Sequence, residues 1–343
     1  MRIAIILSLG LLISVTYSAF TVDRSSLSAF NQFPTQCIFA LVIMVVLPWF
    51  ADSLRVQIWL RFLGKRERFV EVFRMMLASE MATAVTPAAI GGTAARLGWL
   101  ISRGIAPGVA SSIMLLNALE DTVFFLLALP LALLLSSSAN SGGVTLDKLG
   151  SLLQQSPLTS PSGLSYILLG IIVALFAGWI TWKLLPCSLK ARVTGWREKV
   201  KHQTVLAKAA FQMMIARGRW RFIVTVALAG LHWACRFSML TVLLLGLQQY
   251  VDPFNFFASQ WLVFMLTKLA PSPGGTGGAE LAFLFFYRSI LPENLVGLLV
   301  GAWRVLTFTL PVGLATLLFL AFVKKGKFID LKSFGLNKAV EAA

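Results

Sequence analysis

Charged side chains are scarce in this sequence and make up 13% of its 343 residues. Soluble domains usually carry about 25% charged residues, so the shortage excludes an ordinary soluble domain. Acidic residues are the scarcer kind, with 14 Asp and Glu against 30 Lys and Arg and a formal net charge of +16. The basic residues lie between long apolar stretches, and the cytoplasmic loops of membrane proteins are normally basic. The excess therefore does not predict a nucleic-acid partner.

Cysteine and histidine are also rare. The three cysteines, Cys37, Cys187 and Cys235, form no CxxC pair, and an odd number makes a poor disulfide framework. Two histidines, His202 and His232, are too few for a histidine-based metal centre. The sequence also lacks an H-E-x-x-H motif, a Walker lysine motif and a nucleophile triad. We therefore predict no catalytic residue, no metal and no cofactor.

Long apolar stretches dominate the remaining sequence. A run of about 18 or more apolar residues is typical of a membrane-spanning helix. Six stretches qualify: Ile3–Phe20, Cys37–Leu60, Val109–Leu135, Leu164–Leu185, Phe222–Leu247 and Leu295–Val323. No clear cleavage site follows the first stretch, so we interpret it as an anchor rather than a signal peptide. The sequence predicts an all-α polytopic membrane protein with six spanning helices.

The charge of the connecting segments predicts their sidedness. Arg61–Arg74, Cys187–Arg221 and the tail after Val323 are rich in Lys and Arg. The connections Thr21–Gln36, Ser136–Gly163 and Gln248–Asn255 are close to neutral. Since basic loops face the cytoplasm, we place the first set inside and the second outside. This predicts a cell-membrane protein whose two termini are cytoplasmic.

Two further apolar segments, Val72–Ile101 and Phe254–Ile290, do not fit a simple crossing. Each is interrupted by the same pattern, Pro87-x-x-x-Gly91-Gly92 in one and Pro273-x-x-x-Gly277-Gly278 in the other. Proline stops a helix and glycine permits tight turns. Each half is about 10 to 18 residues long, too short to cross a core of ~30 Å. We predict two re-entrant helical hairpins that enter from opposite sides.

The shared pattern predicts an inverted-topology repeat, as in many transporters. The predicted organisation is a single transmembrane domain: an N-terminal anchor helix (1–36), a first repeat (37–136), an external loop, connecting helix and basic cytoplasmic loop (137–221), a second repeat (222–323) and a cytoplasmic tail (324–343). Free N–H groups at the start of a half-helix can bind an anion. The alternative is that Pro and Gly only permit close helix packing.

These residues resemble the flippase-like transmembrane domain of the lysylphosphatidylglycerol synthase family. The similar segments are Arg61-Phe62-Leu63-Gly64, Pro87 to Gly92 followed by Arg96, Pro271-Ser272-Pro273-Gly274-Gly275-Thr276-Gly277-Gly278-Ala279-Glu280, and Trp303-Arg304. The resemblance implies a membrane domain that moves a modified lipid across the bilayer. In full-length members an aminoacyl-transferase domain is fused to it, and we expect this chain not to carry one. The resemblance does not fix the lipid headgroup.

Ionisable residues at membrane depth cost free energy unless they are paired or hydrated, so each is a candidate site residue. The predicted substrate-binding residues are Arg304, Arg236, Glu280, Arg96, Gly91, Gly92, Pro273, Gly274, Gly275, Gly277 and Gly278. The predicted proton- or ion-coupling residues are Glu120, Asp121, Glu80, His232 and Lys268. An arginine in such a place can hold a phosphate through two parallel hydrogen bonds.

Each candidate also has a structural interpretation. Arg96 can be a snorkelling arginine, or it can pair with Glu80, which we favour over an unpaired carboxylate. Glu120 and Asp121 can form a polar clamp between helices, and Arg236 can be a salt-bridge partner of either. Two further residues, Asp52 and Arg55, lie near the cytoplasmic end of their stretch, and we expect them to form an exposed local pair.

The sequence predicts a flippase or translocase that moves an anionic lipid or lipid-linked headgroup between leaflets. Two alternatives stay open: a membrane enzyme acting on a lipid phosphate or headgroup, and a secondary transporter of a small solute or ion. Membrane lipids, anionic in particular, are the predicted partners. A second copy of the chain or a lipid-modifying enzyme is the protein partner left open.

Overall fold

Helices account for all the regular structure in the part of the chain that the structure describes. The computed structural model describes residues 33–86, 90–136, 187–270, 272, 274–288 and 290–324. Their helices are α1 (Thr35–Phe62), α2 (Phe69–Val85), α3 (Ile90–Ser102), α4 (Pro107–Leu135), α5 (Cys187–Arg217), α6 (Arg219–Gly246), α7 (Pro253–Leu269), α8 (Gly278–Tyr287), α9 (Glu293–Arg304), a π-helical turn (Val305–Thr309) and α10 (Leu310–Lys324). The predicted stretches Ile3–Phe20 and Leu164–Leu185, with Pro87 and Pro273, lie outside the described residues.

Within the described residues, four helical segments are long and apolar enough to cross a bilayer. They are α1, α4, α6 and the continuous segment Leu295–Phe322, which runs from α9 through the π turn into α10. The segments contain 28 or 29 residues, or about 42 Å at 1.5 Å per residue, against a hydrocarbon core of ~30 Å. They confirm four of the six predicted apolar stretches as long helices.

The two predicted breaks separate pairs of shorter helices. α2 ends at Val85 and α3 begins at Ile90, while α7 ends at Leu269 and α8 begins at Gly278. In the second break, Gly274, Gly275 and Gly277 have φ angles of +61°, +67° and +87°. Residues with a Cβ atom rarely adopt positive φ angles, whereas glycine does so readily. We call α2–α3 the first hairpin and α7–α8 the second hairpin.

The hairpins pack across the two halves of the chain. α1 and α6 pack against each other over much of their length. The helices within each hairpin also pack together, α2 on α3 and α7 on α8. Beyond its own half, α2 packs on α10 and α7 packs on α4. Each hairpin therefore packs on the last helix of the opposite half, α10 or α4. A space remains that is enclosed by helices from both halves of the chain.

The basic segment 187–221, predicted as a connecting loop, is mostly helical in the structure. α5 spans 31 residues and packs on the start of α4. The Gly108 amide donates to Oε1 of Gln203 at 2.8 Å, and Ser112 Oγ donates to the carbonyl of Ala207 at 2.8 Å. Met214 is fully buried. The small and apolar residues of α5 form a face that packs on α4. The many charges of the segment made this face hard to recognise in the sequence.

Candidate functional site

A cavity of about 340 Å³ occupies the space between the two halves. Its walls come from α1, α2, α3, α4, α6, α7, the second break, and the chain from α9 into α10. The ionisable residues in its wall are Asp52, Arg55, Glu80, Arg96, Asp121, His232, Arg236, Lys268 and Arg304. Its aromatic residues are Trp233, Phe237, Phe264, Trp303 and Phe308. The cavity therefore joins a charged surface to an apolar one, within the usual size range of ligand pockets, about 300–1,000 Å³.

The fold gathers most of the predicted site residues at this cavity. Of the predicted substrate-binding set, Arg304, Arg236, Arg96, Gly92, Gly274 and Gly275 line it. Of the predicted coupling set, Asp121, Glu80, His232 and Lys268 line it. The cavity wall does not include Gly91, Gly277, Gly278, Glu120 or Glu280. Pro273 is outside the described residues. The structure thus shows which of the predicted site residues lie together at the cavity. Their roles in binding or coupling stay predictions.

The centre of one wall is a buried arginine that sequence reasoning missed. Asp52 and Arg55 form the expected local pair, but the predicted exposure was wrong, since Arg55 is 3% exposed and Asp52 is 7% exposed. The Arg55 guanidinium donates to Asp52 Oδ1 at 3.0 Å, Glu120 Oε2 at 2.9 Å and the Asn117 carbonyl at 2.9 Å, and it lies 2.8 Å from Asp121 Oδ1. Glu120 also accepts from Trp59 Nε1 at 2.6 Å. This set holds α1 against α4.

One signal in the sequence marked this wall. Asp52, Arg55 and Trp59 recur at a helical spacing, so they share one face of α1. The adjacent carboxylates Glu120 and Asp121 supply the negative charge that a buried arginine on this face needs. A polar stripe along an apolar helix indicates an inward face, because lipid cannot satisfy it.

The ion pairs of the first hairpin differ from the expected ones. Arg96 donates from Nη2 to Asp52 Oδ2 at 3.3 Å and from Nε to Ser79 Oγ at 2.9 Å. Glu80 accepts from Arg236 Nη2 at 3.1 Å. The predicted Arg96–Glu80 pair was therefore wrong, because Arg96 reaches back to α1 while Glu80 reaches across the cavity to α6. Arg236 pairs with neither carboxylate of α4, since Arg55 holds both.

The second hairpin is fixed by a buried pair next to its break. Glu280, in the first turn of α8, accepts from the Gly277 amide at 2.6 Å and lies 3.0 Å from Arg304 Nε. Arg304 also donates from Nη2 to the Gly274 carbonyl at 2.8 Å and to Thr276 Oγ1 at 3.2 Å. Both side chains are about 95% buried, with 4% of Arg304 and 5% of Glu280 exposed. Glu280 thus positions Arg304, and Arg304 ties the break to α9.

The π turn starts directly after Arg304. Val305–Thr309 form this turn, and two of its residues, Thr307 and Phe308, line the cavity. Pro311 follows and has no N–H to continue the helical ladder. Single π turns within α-helices often occur at functional sites. The distortion therefore falls where this long helix meets the cavity.

The basic residues of the wall differ in how many hydrogen-bond donors they have left. Arg55 uses all three of its nitrogens in the contacts above. Arg96 and Arg236 have side chains 25% exposed, and their contacts use neither Nη1 group. Lys268 forms no ion pair with any described residue, and its Nζ lies 4.4 Å from the Phe264 ring centroid. Arg96, Arg236 and Lys268 therefore offer free cationic donors to the cavity.

Comparison with known proteins identifies the family of this chain. A model of the family described as the lysylphosphatidylglycerol synthase TM region matches residues 3–315. The chain belongs to this family. A relative from Archaeoglobus fulgidus, a UPF0104 membrane protein, is 23% identical over 313 residues, which cover 88% of this chain and 92% of the relative. The predicted family resemblance is confirmed. Family membership and the four long apolar helices make this family member a multi-pass membrane protein.

Proposed function

We propose that this protein translocates a lipid with an anionic headgroup, or a lipid-linked anion, between the leaflets of a membrane. The observation that carries the proposal is the cavity, whose wall presents the free cationic donors of Arg96, Arg236 and Lys268. Guanidinium groups favour the oxygens of phosphate, which they can bind through two parallel hydrogen bonds. The headgroup would occupy the cavity while the acyl chains stay in the surrounding lipid.

The proposal includes an inverted repeat with two re-entrant hairpins. The helices of the two halves follow the same order of lengths. In the first half α1, α2, α3 and α4 have 28, 17, 13 and 29 residues. In the second half α6, α7 and α8 have 28, 17 and 10 residues, and the segment Leu295–Phe322 has 28. Each hairpin also has a glycine close to a threonine, the third-last residue of its first helix. A Cβ at Gly92 would overlap Thr83 Oγ1, and one at Gly275 would overlap Thr267 Cγ2. These matched contacts support a repeated unit.

Such a repeat would give the protein a means of alternating access. In transporters with inverted repeats, one bundle rocks against the other around a site near the bilayer midplane. Here Gly92 from the first break and Gly274 and Gly275 from the second all line the one cavity. The two breaks would then form its opposite ends, with the cationic donors between them.

We expect Arg236→Gln and Arg96→Gln each to slow lipid translocation about tenfold, since a hydrogen bond to a charged group contributes about 1.5–3 kcal/mol and 1.4 kcal/mol is a factor of ten. The measurement uses vesicles reconstituted with the purified protein and a fluorescent phosphatidylglycerol, whose outer-leaflet fraction is bleached by dithionite. Arg61→Gln is the matched control, because Arg61 is exposed at the end of α1 and does not line the cavity.

Three outcomes of this experiment would count against the proposal. Equal translocation by wild-type and empty vesicles, across anionic phospholipids and a polyprenyl phosphate, would refute it. An equal loss in Arg61→Gln would show that the cavity arginines have no special role. Saturable uptake of a soluble anion without lipid movement would identify a solute transporter instead.

A further inference from the structure

Glu80 is a weakly held carboxylate at the cavity. Its one ion pair among the described residues is with Arg236 Nη2, at 3.1 Å. Asp52, by contrast, lies within 3.3 Å of Arg55, Arg96 and His232. The carboxylates of Glu120 and Glu280 each have a second donor besides their arginine. Asp121 also has a single ion pair, but its partner Arg55 is bound by two further carboxylates. Among the described residues, Glu80 and Arg236 form the cavity pair in which neither partner has a second side-chain contact.

Arg236 is equally exchangeable on its side of the pair. Its contact with Glu80 uses one N–H of Nη2, which leaves Nε and Nη1 without a hydrogen bond to any described residue. The side chains of Arg236 and Glu80 are 25% and 14% exposed, so both reach the cavity space. An entering oxyanion and the Glu80 carboxylate would therefore compete for the same guanidinium.

The pair also has space on two sides. Glu80 and Arg236 line the main cavity and also a second, water-sized void of about 10 Å³. That void is otherwise lined by Thr307 and by apolar residues of α1, α6 and the π-turn region: Val45, Pro48, Trp49, Met239, Leu306 and Pro311. The void has room for no more than about one water molecule, but the main cavity has space for either side chain. Separation of the pair into the main cavity would not require helices to repack.

We propose that Glu80 is an exchangeable internal anion, which occupies Arg236 in the empty protein and is displaced by a phosphate-type oxyanion. The inference rests on the proposed function, and it deepens the description of the same site. If Glu80 left Arg236 and nothing replaced it, Arg236 would lose its one ion-pair partner among the described residues, and a buried charge without a partner is costly. Exchange of one anion for another keeps Arg236 paired in both states, while the displaced Glu80 carboxylate faces the open cavity. The cost of displacing Glu80 lowers the net affinity for the ligand, which favours its release on the other side.

The test is a binding measurement on the purified full-length protein in lipid nanodiscs. The probes are inorganic phosphate, glycerol 3-phosphate and dihexanoyl phosphatidylglycerol, so that a free phosphate and a lipid headgroup are distinguished. Glu80→Gln removes the competing charge, and we expect it to bind at least one probe about tenfold more tightly than wild type, as for a change of 1.4 kcal/mol. Arg236→Gln should abolish that gain in the double variant.

Glu71→Gln is the matched control. Glu71 lies on the same helix and pairs with Arg74 and Arg103 away from the cavity, so its replacement should leave probe affinity unchanged. Glu80→Asp keeps the charge but shortens the side chain. We expect its affinity to lie between those of wild type and Glu80→Gln, and it serves as the test if the glutamine variant does not fold.

The outcomes separate the two proposals. If wild type binds a probe and neither Glu80 variant binds it more tightly, the exchange is refuted while the proposed function stands. If neither wild type nor either Glu80 variant binds any probe, the anion site is refuted and the proposed function with it. A gain seen with dihexanoyl phosphatidylglycerol and absent with inorganic phosphate would assign the site to a lipid headgroup.

Discussion

Replacement of Arg55 by glutamine is expected to lower the free energy of unfolding by about 3–5 kcal/mol, the usual result of removing one partner from a buried ion pair. The Arg55 guanidinium lies within 3.0 Å of carboxylate oxygens of Asp52, Glu120 and Asp121. Without it, Glu120, which is fully buried, would have no cation beside it among the described residues. Titration of the purified protein with dodecyl sulfate in mixed micelles measures the effect.

Arg61→Gln is the control for this experiment. Arg61 lies in the last turn of the same helix and is exposed, and surface substitutions usually change stability by less than about 0.5 kcal/mol. A double variant, Arg55→Gln with Glu120→Gln, should recover part of the lost stability because it removes the buried charge left behind. Equal stability of Arg55→Gln and wild type would show that this cluster does not hold α1 to α4.

The second large effect is expected from Gly275→Ala in the break of the second hairpin. Its φ angle of +67° costs a residue with a Cβ about 1–2 kcal/mol, and the new Cβ would lie 2.5 Å from Thr267 Cγ2. Overpacking of this kind typically adds about 1–3 kcal/mol. We expect a loss of stability of roughly 2–5 kcal/mol, the sum of the two costs, in the same dodecyl sulfate titration.

Two further variants separate the two costs. Gly64, at the end of α1, has a φ angle of +74° with no atom near an added Cβ, so Gly64→Ala should show the backbone cost alone. Thr267→Ser removes the methyl group that the new Cβ would meet, so it should restore part of the stability in the Gly275→Ala background. If Gly275→Ala and Gly64→Ala behave alike, the close approach to Thr267 is unimportant.

The sequence predicted the helices and breaks well, because their causes are local. The four long apolar runs and the Pro- and Gly-rich breaks form a helix or stop one regardless of what surrounds them. Glycine at 274, 275 and 277 is explained by the backbone it adopts. The basic segment that became α5 was missed because its charges masked a docking face that forms only against α4.

The partners of the buried charges could not be predicted, since they depend on which helices meet. Glu80 and Arg96 share one hairpin and made a plausible pair, yet α2 directs Glu80 toward Arg236, 156 residues away in the chain. Asp52 and Arg55 were placed near the cytoplasm by their distance from Arg61. The three carboxylates that Arg55 holds come from two helices, and only their packing brings them together.

The charges around the cavity also cancel, and this determines how the protein responds to voltage. The basic members are Arg55, Arg96, Arg236, Lys268 and Arg304, and the acidic members are Asp52, Glu80, Glu120, Asp121 and Glu280. Glu120 and Glu280 lie behind the wall, paired with Arg55 and Arg304. With His232 counted as neutral, the lining residues and these two carboxylates together carry no net charge, so their joint movement would transfer almost none through the electric field. An anion inside would add one elementary charge, equivalent to about 2.3 kcal/mol per 100 mV. We expect potassium diffusion potentials across vesicles to bias the loaded step alone, and a voltage-sensitive empty protein would contradict this.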